Sequence, residues 1–357
     1  ICFILFSLAT FLTGFAQSTT QFGILRFIAG LGCGGLMPNA VALMNEYAPR
    51  RSRGTLVALM FSGYSLGGVL AAGVGIYALP RFGWEFMFFA AIIPLLLVPV
   101  LIWKLPESIG FLVRENKNDQ ARQMLAKLSP DTPINAQTEL TQNITKANSV
   151  PVFDLVKEGR GLGTLMIWLA FFCCLLMVYA LGSWLPKLMA NAGYSLGSSL
   201  SFLLALNFGG MFGAILGGWL GDRFGLPRVM AWFFVASAVS ISVLGFNSPM
   251  IVLYSLIIVA GATTIGTQIL LYANTAQFYP LSMRSTGLGW ASGIGRFGAI
   301  AGPFLGGTLM AMALPLKMNF FAFAIPGVVA TLAILLFIFA SQRQARSAKS
   351  VAAAVAS

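Results

Sequence analysis

The sequence predicts an all-α protein that crosses a membrane many times, and three observations carry that prediction. The first is composition: of 357 residues, 58% are hydrophobic and only 9% charged, with a mean hydropathy of +0.84, whereas a water-soluble domain carries about a quarter charged residues. The second is how the hydrophobicity is spaced, in ten stretches that reach or approach the ~20 residues a bilayer-crossing helix needs. The third is an internal repeat. Shifting the chain by 231 residues superposes Gly30 on Gly261, Gly35 on Gly266, Tyr47 on Phe278, Pro49 on Pro280 and Arg53 on Arg284, and one single-residue gap then aligns Ser62 and Gly63 with Ser292 and Gly293, and Gly68 with Gly298.

Taken in order, the spans fall at 1–16, 21–47, 55–79, 84–105, 162–188, 197–221, 227–246, 249–279, 285–314 and 316–341. The first is short because the chain begins inside it: Ile1 to Phe6 has no methionine start, no basic flank and no cleavage pattern, so the sequence reads as a fragment. The connections after spans two, four, six and eight, with the tail, hold 17 of the 22 Lys and Arg residues, against Arg81, Lys187 and Lys317 on the other side. Basic residues accumulate on the cytoplasmic side of membrane proteins, which places both chain ends there and predicts an inner-membrane, multi-pass protein with a cytoplasmic C-terminus. The longest polar connection, 106–161, balances seven acids against seven bases between Glu107 and Arg160. Within it Phe111, Leu112, Met124, Leu125 and Leu128 recur at helical spacing and predict a short interfacial helix, followed by a loose polar stretch over 130–150.

The repeat pairs two halves across that linker and asks for partners of spans five and six before residue 1. The expected whole therefore has twelve spans as six plus six, and the domains here are 1–105 (the last four helices of the first half), the linker 106–161, the second half 162–341 and a tail 342–357. Alternating halves of this kind are expected to work as a monomer in the lipid bilayer.

Composition also excludes functions. With no histidine there is no imidazole base, imidazole metal ligand or Ser-His-Asp triad. Cys2, Cys33, Cys173 and Cys174 lie in apolar runs without metal-ligand spacing, and no phosphate-binding glycine loop occurs. Neither a cofactor nor a metal is expected, and an enzyme is disfavoured. The net charge of +12 is distributed as topology dictates and does not mark a nucleic-acid footprint.

Motifs sharpen the reading. Gly218-Trp-Leu-Gly-Asp222-Arg223-Phe-Gly225-Leu-Pro-Arg228 resembles the G-x-x-x-D-R-x-G-x-x-R cytoplasmic loop of the major facilitator superfamily, and Arg26-Phe-Ile-Ala-Gly30-Leu-Gly32-Cys-Gly34-Gly35 resembles the arginine-glycine motif of its fourth helix. The run from Tyr279-Pro280 through Arg284, Trp290, Arg296 and Gly302-Pro303 to Gly306-Gly307, together with Met37-Pro38-Asn39, Glu46-Tyr47-Ala48-Pro49 and Pro186 to Ser195, is similar to the aromatic acid/proton symporter family, nearest in appearance to bacterial benzoate transporters. The resemblance implies the major facilitator fold, alternating access, and import of benzoate or a hydroxybenzoate with protons. The alternative is a proton-coupled antiporter exporting small organic or drug-like compounds. Span three, with Gly63-Tyr-Ser-Leu-Gly67-Gly68, lacks the proline of the antiporter motif, which weighs against export.

Among candidate site residues, Arg296 lies near the midplane of span nine, where an arginine costs roughly 2.5 kcal/mol or more unless it has a partner or a task. We read it as the partner of a substrate carboxylate in preference to a helix-pinning salt bridge. Span eight carries a polar face through Thr264, Gln268, Tyr272, Thr275 and Tyr279, with Asn274 beside it. Interhelical hydrogen bonding would explain that face, and cavity lining by Gln268, Tyr272 and Asn274 would also do so. Asn39 and Trp290 complete the substrate candidates; Trp290 and Phe208 could stack on an aromatic ring, although with 30 phenylalanines in the chain core packing is the readier explanation. Arg26, Glu46, Asp222, Arg223 and Arg284 are candidates for proton coupling or for a conformational latch. For Asp222 the latch is preferred to proton carriage; for Glu46 and Arg26 a local ion pair and a helix lock stand level with coupling.

Overall fold

The computed structural model describes residues 1–47, 53–104, 107, 112–113, 117–128, 152–157, 159–246, 248–280 and 283–356, and at Asn39, Glu46 and Arg53 it describes the backbone helix only. The described residues form helices and no strand. They divide into two units, Ile1–Phe61 with Tyr77–Lys146, and Ser62–Ile76 with Ala147–Ser357.

In the first unit α1 (Cys2–Thr13), α2 (Thr19–Tyr47) and α3 (Arg53–Phe82, whose middle belongs to the second unit) follow the first three predicted spans. The fourth is broken into α4 (Glu85–Phe89), α5 (Ile92–Leu96) and α6 (Val98–Lys104). Pro94 and Pro99 explain the breaks, because each lacks an N–H and clashes with the carbonyl four residues earlier, and those carbonyls belong to Ala90 and Leu95. The linker helix forms as α7 (Asn118–Leu128) and is amphipathic: Ala121 is buried, and Tyr47 at the end of α2 donates its hydroxyl to the Glu107 carbonyl (2.5 Å) and reaches Met124 Sδ (3.3 Å). The expected polar stretch 130–150 lies outside the described residues.

The second unit opens with a 3-10 turn, Val152–Leu155, that the hydropathy pattern does not signal. Leu155 is buried, and its carbonyl accepts from Thr164 Oγ1 at 2.9 Å, to which Tyr279 donates at 3.0 Å. Six long helices follow: α8 (Gly161–Asn191), α9 (Leu196–Phe224), α10 (Leu226–Val243), α11 (Met250–Phe278), α12 (Arg284–Ala311) and α13 (Leu316–Ala356). They pack chiefly as α8 with α12, α9 with α11, and α10 with α13.

Glycine permits the first two of these pairings. A Cβ at Gly298 or Gly302 would run into the backbone of α8 at Phe172 and Leu176, and one at Gly209, Gly213 or Gly261 would overlap carbonyls across the α9–α11 seam. Helices in lipid gain little from burying apolar surface against each other, so close backbone approach supplies much of their association. Phe171, Phe202, Phe234, Phe320 and Phe323 fill the remaining interior.

The turn joining α9 to α10 shows why its motif reads as it does. Gly225 ends one helix and begins the next at φ 90°, ψ 132°, a conformation open to glycine and strained for any other residue. Gly225→Ala should therefore lower stability by about 1–2 kcal/mol, seen as earlier thermal aggregation of detergent-solubilised protein; unchanged melting would mean that the turn relaxes elsewhere.

Candidate functional site

Arg296 sits twelve residues after the start of the 28-residue α12, roughly 18 Å from its first residue and about 22 Å from its last at 1.5 Å per residue. Its Nη1 donates to Tyr179 Oη on α8 at 3.1 Å. The ion pairs among the described residues are Arg122 with Asp119 and Lys157 with Asp154, so Arg296 carries no acid. Its side chain is exposed, which leaves much of its donor fork open. The sequence predicts the arginine but not Tyr179, although the signal was present: it is the one tyrosine in the long apolar run of α8.

Tyr272 on α11 reaches the same region through Phe171 of α8, which also lies 3.3 Å from where a Cβ on Gly295, next to Arg296, would stand. Its ring meets Phe171 edge-on with centroids 5.1 Å apart. One turn earlier, Gln268 is half-buried on the same face. A guanidinium, two phenols, a carboxamide and the edge of an aromatic ring are thus contributed by α8, α11 and α12.

The threonines of α11 behave differently from an interhelical polar seam. Thr263, Thr264 and Thr275 donate to Val259, Ala260 and Leu271 at 2.6–2.7 Å, and Thr267 donates to Thr263, each to a carbonyl one turn back in its own helix. Their hydroxyls are satisfied locally, as short polar side chains in helices often are. The cross-helix contact runs the other way, from Cys174 Sγ to the Thr264 carbonyl at 3.5 Å.

Other candidates are placed apart. Asn274 is buried at 4% exposure, and its Nδ2 lacks a partner among the described residues. Trp290 stacks on Trp168 (6.0 Å, 26°), so part of its surface is already covered by a protein ring. Phe208 leans on Phe212 at 4.8 Å. Asp222 is exposed in the last turn of α9 with no ion pair among the described residues, beside Arg223, whose guanidinium lies 5.8 Å from the Trp219 ring and 5.7 Å from Phe224. Arg284, the first residue of α12, is half-buried with Nε unpartnered among the described residues. In the first unit Arg26 donates to Thr10 Oγ1 at 2.9 Å and sits 5.4 Å from the Phe88 ring, joining α2 to α1 and α4. The side chains of Asn39 and Glu46 lie outside the described residues.

Stretches long and apolar enough to cross a membrane number six among the described residues: Glu85–Lys104, Gly161–Asn191, Gly197–Phe224, Leu226–Val243, Met250–Phe278 and Leu316–Gln342. With Arg296, which makes no ion pair among the described residues, on a helix between the last two, they define a multi-pass membrane protein of the transporter class. The chain belongs to the Major Facilitator Superfamily, whose family profile matches residues 1–217 and 167–357. It is 47% identical over 338 residues to the benzoate transport protein of Acinetobacter baylyi, covering 94% of this chain and 72% of that one. It is 35% identical to the 4-hydroxybenzoate transporter PcaK of Pseudomonas aeruginosa, over 93% of this chain and 75% of the relative. In fold it resembles the partially occluded inward-open conformation of the xylose transporter XylE from E. coli, with a TM-score of 0.66 and 18% identity over 92% of this chain and 78% of that chain. The superfamily consists of transport proteins, in keeping with the absence of enzymatic motifs from the sequence.

Proposed function

We propose that the protein imports an aromatic carboxylate, benzoate or a hydroxybenzoate, in symport with a proton by alternating access. The observation that carries this reading is Arg296: an arginine midway along α12, bonded to the Tyr179 hydroxyl and without an ion pair among the described residues. Such a cation attracts an anion where water is scarce, and aromatic surface from Phe171 and Tyr272 lies beside it. The names of the benzoate and 4-hydroxybenzoate relatives supply the substrate class. In this reading Gln268 and Tyr272 line the route beside Arg296, and Asn39, Asn274 and Trp290 are further substrate candidates. Asp222 and Arg223, with Arg284, form a latch at the cytoplasmic helix ends of the second half; in the first, Arg26 locks helices and Glu46 is a candidate for proton coupling. The halves 1–105 and 162–341 move against each other across the linker 106–161, ahead of the tail 342–357, in an inner-membrane monomer with a cytoplasmic C-terminus.

Energetics provide the test. Benzoate is anionic at neutral pH, so one anion moving with one proton transfers no net charge. Accumulation should then follow the pH difference, about 1.4 kcal/mol per unit, and ignore the membrane potential, which acts at about 2.3 kcal/mol per 100 mV for each net charge. In proteoliposomes of the intact protein, an outside-acid gradient should drive labelled benzoate inward while a valinomycin-set potential alone does not. Uptake driven by an inside-negative potential alone would require more than one proton per anion. Uptake insensitive to both gradients but stimulated by internal benzoate would replace symport with exchange.

A further inference from the structure

Tyr179 deserves a role beyond holding an arginine. A guanidinium carries donors only, so in the 3.1 Å contact the phenol oxygen accepts and its own O–H points elsewhere. No acceptor for that O–H occurs among the described residues. The phenol is half-buried, about halfway along α8, and its oxygen lies 3.1 Å from the exposed guanidinium of Arg296.

We infer that Tyr179 is a substrate ligand whose hydroxyl, while accepting from Arg296, donates to the same carboxylate that Arg296 attracts. The inference rests on the reading of Arg296 as the carboxylate's partner. Three physical points support it. Accepting a hydrogen bond from a cation polarises the O–H and strengthens it as a donor, since hydrogen bonds in a chain reinforce one another. A phenol orients the guanidinium without cancelling its charge, whereas an aspartate or glutamate in its place would neutralise the attraction for an anion. Helix pinning is an insufficient explanation, because α8 and α12 are already joined backbone to backbone at Gly298 and Gly302. The site that results offers one carboxylate two unlike donors, an N–H of Arg296 and the O–H of Tyr179. It therefore favours a monocarboxylate with a single anionic head.

The experiment measures equilibrium binding of benzoate to the intact, purified protein. Tyr179→Phe should weaken binding by about tenfold or more, the loss of one charge-assisted hydrogen bond, while melting stays near that of the parent. The sign of the effect is read with 3-fluorotyrosine incorporated at position 179, an isosteric and more acidic phenol, at pH 6. A phenol that donates to the substrate should bind benzoate more tightly when made more acidic. One that serves only as an acceptor for Arg296 should bind it equally or less tightly, and that result would overturn the inference, as would unchanged affinity in Tyr179→Phe. Arg296→Ala, measured alongside, separates the two claims. Lost affinity there with both Tyr179 variants unchanged removes Tyr179 alone, whereas retained affinity in Arg296→Ala removes the reading on which it rests.

Discussion

Arg296→Ala is expected to abolish benzoate uptake in cells expressing the intact protein while leaving its amount in the membrane unchanged. The side chain is exposed and carries no ion pair among the described residues, so its removal opens no void in the packed interior and strands no buried acid. The loss falls on substrate. A hydrogen bond to a charged group contributes about 1.5–3 kcal/mol, and the desolvated anion would lose its countercharge as well. Binding should weaken by ~100-fold or more. Arg296→Lys should recover little, because an ammonium is a point charge that cannot donate to Tyr179 and a carboxylate with the fixed spread of a guanidinium. Normal affinity in the lysine variant would leave the cation in place but remove the geometric part of the argument.

The second large effect is structural and has a built-in control on the same helix. At Gly298 a Cβ would overlap the Phe172 carbonyl of α8, a backbone atom that no rotamer change can move aside. Gly298→Ala should therefore force α8 and α12 apart, at a cost of up to about 3 kcal/mol or more, with loss of monodisperse protein on size exclusion. At Gly293, five residues earlier, nothing lies within 4 Å of the added Cβ. There alanine should be neutral or stabilising by up to about 1 kcal/mol, since it is the better helix former. Equal behaviour of the two variants would show that the approach of α8 and α12 does not require glycine at 298.

Much of the fold was legible because bilayer-crossing helices are written in long apolar runs that need no tertiary context. Each of the ten predicted spans is helical over most of its described length, and six described stretches are long and apolar enough to cross a membrane. The departures have local causes that the sequence contained but hydropathy does not weigh. Pro94 and Pro99 divide the fourth span, and α13 runs on past Gly327 and Gln342 to Ala356 because nothing in Ser341 to Ala356 breaks a helix. The 3-10 turn at Val152–Leu155 had no periodic signal, being held by side-chain contacts from Thr164 and, through it, Tyr279.

The site was legible only in part. By itself the sequence determined that Arg296 stands near the middle of its helix without a neighbouring acid along it, and predicted membrane depth from that position, where the cost of charge in lipid makes an arginine significant. It also determined that α11 carries a polar face. Only the tertiary structure decided what those groups meet. It turned the threonine hydroxyls back onto their own helix, set Trp290 against Trp168, and brought Tyr179, 117 residues away in the chain, within 3.1 Å of Arg296. Partners of that kind are chosen by the rotation of α8 against α12, which is fixed by where the glycines let two backbones touch. Helical periodicity assigns a residue to a face of its own helix, and a neighbouring helix supplies the partner only once the packing has set the angle between them.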